Sequence, residues 1–388
     1  MSRILTFFLF YLAVFLQAGA YGLTFLLPDL FAGFGADEKT VGQMLFITTL
    51  ATLASVWFAG HIADLLGRLP TLGIACLAIA AALAGYGLAD GVGPVLIGAS
   101  LALGAGWGLT YSLAPVVLTG LVTAAERVRY FALNSVSLMA GFGLSPVLAA
   151  GMTRWGYTVQ DAFYLTGLLS AVAGVLFFVL RPAVHTYELT DGGGAQPSRL
   201  SLGGALAICR SPAWLPVVMV TLGASVFAGM NNFQTVMAAE RGLDYAGYFL
   251  IYTITVVIFR AVLSRFSGGP NPYRTIAWLQ YIMGGSVLLF LLSGASVPLY
   301  WLVAVLFGIG YGVSYPILAA MAANDARDDL VPQTLQLFAL TYFIGIFGFP
   351  LLAGWVLVEM GTASVLVLCT GLAVVEATMA LLRALARR

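Results

Sequence analysis

The chain has 388 residues, of which 61% are apolar and only 9% charged. Soluble domains carry about 25% charged residues, so this composition excludes a water-soluble globule, and the mean hydropathy of +0.99 places most of the chain in lipid. At about 20 residues per helix plus a short loop, the length accommodates roughly twelve membrane spans and no separate soluble domain. The formal net charge of +1 gives no reason to expect a nucleic-acid partner. Cys76, Cys209 and Cys369 lie far apart without metal-ligand spacing, so neither a metal nor a cofactor is expected. The 45 glycines suit close packing of helices in a membrane.

Taken in chain order, apolar stretches bounded by turn residues predict spans near 4–30, 41–65, 71–89, 93–122, 131–152, 160–180, 212–238, 245–266, 275–294, 297–322, 333–357 and 363–383. These are numbered 1 to 12 below. Arg3, the apolar run after it and Gln17-Ala18-Gly19-Ala20 could pass for a signal peptide. The run continues through Leu27, however, and the repeat described below needs it as a first span. Most connections are short. Residues 181–211, with Gly192-Gly193-Gly194, Pro182, Pro197 and several charges, read as a mobile linker. The expected organisation is therefore 1–181 as a six-helix half, 182–211 as a linker and 212–388 as a second half.

Positive residues near span ends predict orientation. With a cytoplasmic amino terminus, thirteen arginines fall on the cytoplasmic side, among them Arg3, Arg68, Arg127, Arg181, Arg199, Arg265, Arg387 and Arg388. Only Lys39, Arg154 and Arg241 fall opposite. Both termini and the linker are expected in the cytoplasm of a bacterial-type inner membrane.

The halves repeat at an offset of 204. Gly104-Ala105-Gly106-Trp107-Gly108 in span 4 matches Gly308-Ile309-Gly310-Tyr311-Gly312 in span 10. Gly141 falls on Gly345, Pro146 on Pro350 and Thr71 on Thr275. A six-plus-six parallel repeat is the architecture of transporters that hold substrate near the bilayer midplane.

Between spans 2 and 3 stands Gly60-His61-Ile62-Ala63-Asp64-Leu65-Leu66-Gly67-Arg68. Here the chain resembles the major facilitator superfamily, whose signature in this loop is G-x-x-x-D-x-x-G-R. The resemblance covers the spans, the two halves, the central loop and the motif. It implies an all-α membrane protein of 12 helices in two pseudo-symmetric six-helix halves, working by alternating access. By the same resemblance Gly60, Asp64, Gly67 and Arg68 form a conformational latch, and the second half, Ser264 to Gly269, lacks the acid. Gly141, Ser145 and Pro146 in span 5 look like the family's antiporter motif, with Ser145, Ala149 and Ala150 standing for glycines. The arginine that drug–proton antiporters of the family carry in span 4 is Ser100 here.

In similar proteins spans 1, 4, 7 and 10 and their neighbours line the pathway. On that basis the candidate substrate residues are Gln17, Tyr21, Trp107, Tyr111, Asn134, Asn231, Asn232, Gln234, Tyr311, Tyr315 and Tyr342. These amides and aromatics suit an organic molecule with polar and apolar faces. Two charges fall inside spans and are functional candidates by default. Arg260, about two turns from the end of span 8 with no cap to explain it, is read as a pathway residue suited to carboxylate or phosphate. Glu376 in span 12 is read as snorkelling or pairing structurally, and Asp29 as a cap or solvated. A coupling proton is assigned to Asp64, Glu126, Asp325 or the substrate itself.

The function expected is export of a small organic compound or metabolite, drug- or metallophore-like, by proton antiport, with import of a small organic anion as the alternative. The partners expected are that substrate, protons and the bilayer, with the chain acting as a monomer. An intramembrane enzyme would need a catalytic set at membrane depth, whereas His61 and His185 lie at or beyond the edge. A sensor would carry an appended soluble domain.

Overall fold

The computed structural model describes residues 2–122, 127–191, 200–263, 266 and 268–386, with the backbone alone at 119, 127, 128 and 185–191. Glu126, Arg199, Arg265, Arg387, Arg388 and the triple glycine at 192–194 lie outside the described residues. So do the side chains of Arg127 and His185.

Lipid offers nothing to hydrogen-bond a peptide group, so an apolar chain crossing it closes its backbone bonds within each segment as helix. Among the described residues, twelve helices are long and apolar enough to cross a membrane. They are Arg3–Ala32, Glu38–Leu66, Arg68–Leu88, Pro94–Leu118, Arg129–Arg154 and Val159–Val184, then Trp214–Asn232, Tyr245–Val262, Pro272–Leu292, Val297–Asn324, Asp328–Met360 and Thr362–Ala386. Each matches an expected span to within a few residues. Inside the segment expected as a linker, the helix of span 6 continues to Asp191 and a short helix covers Leu202–Cys209, its first turn capped by Ser201.

Several spans are interrupted. Span 1 passes through a 3-10 turn at Thr24–Leu26, and span 7 stops at Asn232 before a short helix at Gln234–Ala239. Span 11 widens into a π turn at Ile344–Gly348 ahead of Pro350. Such turns relieve the backbone locally and recur at functional sites.

The chain divides into two compact units, Met1–Ala36 with Ile47–Pro197, and Asp37–Phe46 with Ser198–Arg388. The opening turns of span 2 thus belong with the second unit. There a Cβ on Gly42 would fall 2.4 Å from the Pro350 carbonyl oxygen, and one on Gly354 would fall 2.2 Å from that of Glu38. Lys39 pairs with Glu359 in the same region.

Inside each unit the same glycines do the same job. A Cβ on Gly104 would strike the carbonyl of Thr48 at 2.3 Å, and one on Gly308 would meet that of Tyr252 at 3.3 Å. Gly106 lies against Ala75 and Ile79, and Gly310 against Leu279 and Met283. All of these partners are 204 residues apart. Gly141 packs on Phe15, Ala18 and Gly19, and Gly345 on Thr221, Ala224 and Ser225. Those span 1 and span 7 partners are 206 apart, so spans 1 and 7 are shifted by two residues from the register of spans 2 to 5 and 8 to 11. The sequence repeat is therefore a repeat of packing. Missing side chains let backbones touch where no hydrophobic force between helices is available.

Candidate functional site

In the first unit, Tyr21 on span 1 stacks on Trp107 of span 4 with ring centres 5.2 Å apart, and Phe142 of span 5 leans on Tyr21 at 4.5 Å. Tyr21 and Trp107 are fully buried in this packing, while Tyr111 is half-buried with its ring 6.5 Å from Trp107. Gln17 is buried with its Oε1 lacking a hydrogen-bond partner, and the buried Oδ1 of half-buried Asn134 is in the same condition. An unsatisfied buried amide costs about 1–3 kcal/mol, so these two groups have capacity for a ligand or water. Ser100 is hydrogen-bonded to Tyr86 at 2.8 Å and to the carbonyl of Leu96, a neutral set in place of the family's arginine.

The second unit carries a longer aromatic array. Tyr300 lies 5.5 Å from Tyr248, which stacks on Tyr252 at 6.2 Å. Tyr252 meets Phe227 at 6.2 Å, and Phe227 stacks on Tyr311 at 4.4 Å. Tyr311 leads to Tyr315 and Tyr342, the last two 5.2 Å apart, and the Tyr311 hydroxyl donates to that of Tyr342 at 3.4 Å. Tyr311, Tyr315 and Tyr342 are thus brought together. Asn231, Asn232 and Gln234 are not part of that group. The two asparagine amides donate to the carbonyls of Phe227 and Ala228 one turn back in their own helix. Gln234 donates to the Tyr300 hydroxyl at 2.7 Å, at the other end of the array.

Arg260 stands in the last turn of span 8, which ends at Val262, not two turns inside it. A cation is favoured there by the helix dipole, so the helix end does help explain the charge. Its bond, however, runs to a different span. The Nε–H of the buried Arg260 donates to the carbonyl of Gly312 at 3.0 Å. Gly312 is four residues before Pro316, inside span 10. Proline has no N–H to return to that carbonyl, and Arg260 supplies the missing donor. The guanidinium carbon also lies 5.9 Å from the Tyr315 ring centre, in cation–π range.

A parallel device occurs at the antiporter-like stretch. Pro146 deprives the Phe142 carbonyl of its helical donor, and Ser145 Oγ donates to it at 3.4 Å. A Cβ on Gly22 would fall 2.0 Å from the same oxygen and 2.2 Å from Ser145 Oγ. The stretch therefore fastens span 5 onto span 1, with Gly22 and Gly141 as the two contact points.

Asp64, Gly67 and Arg68, expected from the sequence as latch residues, line an open cavity of about 600 Å³ with Val117, Arg181, Pro182 and Val184. Gly67 makes the turn between spans 2 and 3 at φ +87°, a conformation that favours glycine. Its carbonyl accepts the Thr71 hydroxyl at 2.7 Å. Gly60 is buried and Asp64 exposed. Asp325 accepts from the Tyr273 hydroxyl at 2.7 Å and lies 3.7 Å from Arg383. Asp29 is half-buried in the first turn of the Leu27–Ala32 helix, whose N-cap is Leu26 and which has no side-chain capping bond, so Asp29 is not its cap. Glu376 does not snorkel. It is fully buried and accepts from the Gln280 amide at 2.9 Å. Among the described residues no group of His, Cys, Asp and Glu could hold a metal.

Tyr248, Tyr252, Phe227 and Phe142 are not among the residues expected from the sequence. On span 8, Tyr248, Tyr252 and Arg260 recur at multiples of four, a spacing that keeps side chains on one side of a helix and could have exposed the set.

A comparison with curated sequences finds no match. Among solved structures, the chain is similar to the human organic anion transporter MFSD10 (TM-score 0.70, 16% identity, covering 98% of this chain and all of that one). It is similar to the nucleoside transporter NupG (TM-score 0.74, 16% identity, 97% and 99% covered) and to the proton:xylose symporter XylE (TM-score 0.70, 12% identity, 97% and 95% covered). At those identities the likeness is one of fold. The sequence model of the Major Facilitator Superfamily matches residues 5–350, nearly the whole chain. With twelve spans, a packed six-plus-six repeat and that match, the chain belongs to the Major Facilitator Superfamily of membrane transporters.

Proposed function

We propose that this protein is a secondary active transporter that exports a small organic anion with an aromatic or apolar body, by alternating access and proton antiport. The observation that carries the substrate class is Arg260, a buried guanidinium against the Tyr311–Tyr315–Tyr342 group. Aromatic faces take the apolar body, and the cation takes a carboxylate or phosphate through charge-assisted bonds. Gln17, Tyr21, Trp107, Tyr111 and Asn134 in the first half, and Asn231, Asn232 and Gln234 in the second, are proposed as further substrate contacts. Gly60, Asp64, Gly67 and Arg68 are proposed as the latch. The similarity in fold to the organic anion transporter MFSD10 supports the class. The span-5 packing of Gly141, Ser145 and Pro146 on span 1 supports export.

The charge bias supports an inner-membrane protein with both termini and the 182–211 linker in the cytoplasm, acting as a monomer. Import of the same anion is the second reading, favoured by the replacement of three motif glycines by Ser145, Ala149 and Ala150. Inverted vesicles, with and without an imposed pH gradient, test both. Aromatic carboxylates and phosphates should accumulate in them under antiport, whereas their neutral amides should not. Equal handling of acids and amides refutes the anion, and gradient-driven depletion of inverted vesicles refutes export.

A further inference from the structure

Glu376 is the one acidic residue of span 12, and among the described residues its burial has no counterpart in the first half. Its Oε1 accepts from Gln280 Nε2 at 2.9 Å, and the same amide nitrogen donates to Ser314 Oγ at 3.0 Å. Its Oε2 is buried without a hydrogen-bond partner, as is Gln280 Oε1. The carboxyl faces Gly223 on span 7, where a Cβ would fall 2.9 Å from Oε2.

The internal repeat says what this position needs for packing alone. A Cβ on Gly167 of span 6 would meet Ala80 of span 3 at 3.2 Å, and one on Gly284 of span 9 meets Ala373 of span 12 at 3.1 Å. Ala80 and Gly284 are 204 apart, and Gly167 and Ala373 are 206 apart. By that register Glu376 stands where the first half has Ser170, and Gln280 where it has Cys76. The first half joins the pair with one short bond, from Ser170 Oγ to the Cys76 carbonyl at 3.1 Å. Gly223 stands where the first half has Gln17. A hydroxyl is enough to join these helices. The second half has a carboxyl instead, and a glycine opposite to make room for it.

Among the described residues, groups able to neutralise that carboxyl are absent from its surroundings. Span 7 has no ionisable side chain, and span 10 offers only tyrosines along its membrane length. On span 9, Tyr273 donates to Asp325 and Tyr281 is bonded to Thr378, and Arg274 lies at the start of the helix. On span 12 itself Cys369 and Arg383 are two turns away on either side, and Arg383 lies by Asp325. Span 11 carries Asp328 and Asp329 in its opening turn, the latter paired with Arg327, Tyr342 bonded to Tyr311, and Glu359, which pairs with Lys39. A charge without a partner in such a place is costly, and intramembrane acids commonly serve proton relays.

We infer that Glu376 is a proton-binding site of the transport cycle, taking a proton at Oε2 and releasing it to water. This rests on the reading of the chain as a proton-coupled transporter and moves the coupling acid from the membrane edge to span 12. Gln280 links the proton to the substrate. Its single amide nitrogen holds both Glu376 and Ser314, and Ser314 lies on span 10 between Tyr311 and Tyr315. Deprotonation strengthens the pull of the carboxylate on that amide and loosens its hold on the helix that carries the aromatic group.

Infrared difference spectroscopy of the purified protein tests the site without any substrate. The parent should show a carboxylic-acid C=O band that is lost on raising the pH across the range in which the protein stays folded. Glu376→Gln, which keeps length and hydrogen bond, should lack the band, and Glu376→Asp should retain it. A band unchanged over that range, or no band separating parent from E376Q, overturns the proposal. In vesicles E376Q should keep substrate counterflow and lose acceleration by a pH gradient. Gradient acceleration equal to the parent's also overturns it. If the parent moves no organic anion at all, the proposed function fails, while the spectrum still decides the proton site.

Discussion

The two roles proposed for Arg260, bonding a carbonyl and binding an anion, are separable, and Pro316 allows them to be taken apart. In the parent, Arg260→Met leaves the Gly312 carbonyl buried without the donor that Pro316 withholds. An orphaned buried acceptor costs about 1–3 kcal/mol, and the lost cation–π contact adds about 0.5–2 kcal/mol. Pro316→Ala restores a helical N–H to the same carbonyl. In the P316A background, R260M should therefore cost about 1–3 kcal/mol less stability than in the parent. Anion affinity should behave differently. It should fall in both backgrounds, because the charge is lost in both. Arg260→Lys keeps the charge and loses the Nε–H bond and the flat stack, so it should weaken anion binding about 5- to 150-fold, a change of about 1–3 kcal/mol. Denaturation in detergent and equilibrium binding of an aromatic carboxylate read the two effects. An equal stability cost of R260M with and without P316A refutes the carbonyl argument. Parent-like affinity in R260M and R260K refutes the anion contact.

Gly22→Ala places a Cβ 2.0 Å from the Phe142 carbonyl, so spans 1 and 5 must separate. It should lower stability by about 1–3 kcal/mol in a melting assay, while Gly98→Ala, which meets no neighbour, should not. Asp64→Asn should reduce vesicle turnover with folding intact, since a shift of 1–2 kcal/mol in a two-state equilibrium alters populations about 5- to 30-fold. Parent turnover would remove Asp64 from the latch. Single cysteines introduced at 192–199 should react with impermeant reagent from the cytoplasmic side only, and those beside Lys39 or Arg241 from outside only. Labelling of 192–199 from outside would invert the orientation.

The sequence by itself determined the class of the molecule. Apolar length fixes helices in lipid because no other conformation satisfies the backbone there. The recurrence of Gly104-Ala105-Gly106 at Gly308-Ile309-Gly310 fixes the two halves, because glycine is retained where backbones meet and those meetings repeat. Arg260 and Glu376 were legible as anomalies, since charge within a span is costly. Their partners were not. Gly312 and Pro316 lie more than fifty residues from Arg260, and Gln280 nearly a hundred from Glu376, and no local pattern pairs residues at such separations. Tertiary packing alone decided that Arg260 answers a carbonyl orphaned on another span, and that the first turns of span 2 belong with the second unit. It also decided that Tyr248, Tyr252 and Phe227 join Tyr311 in one array. Side-chain direction depends on the rotation of each helix about its axis, which neighbouring helices set and composition does not.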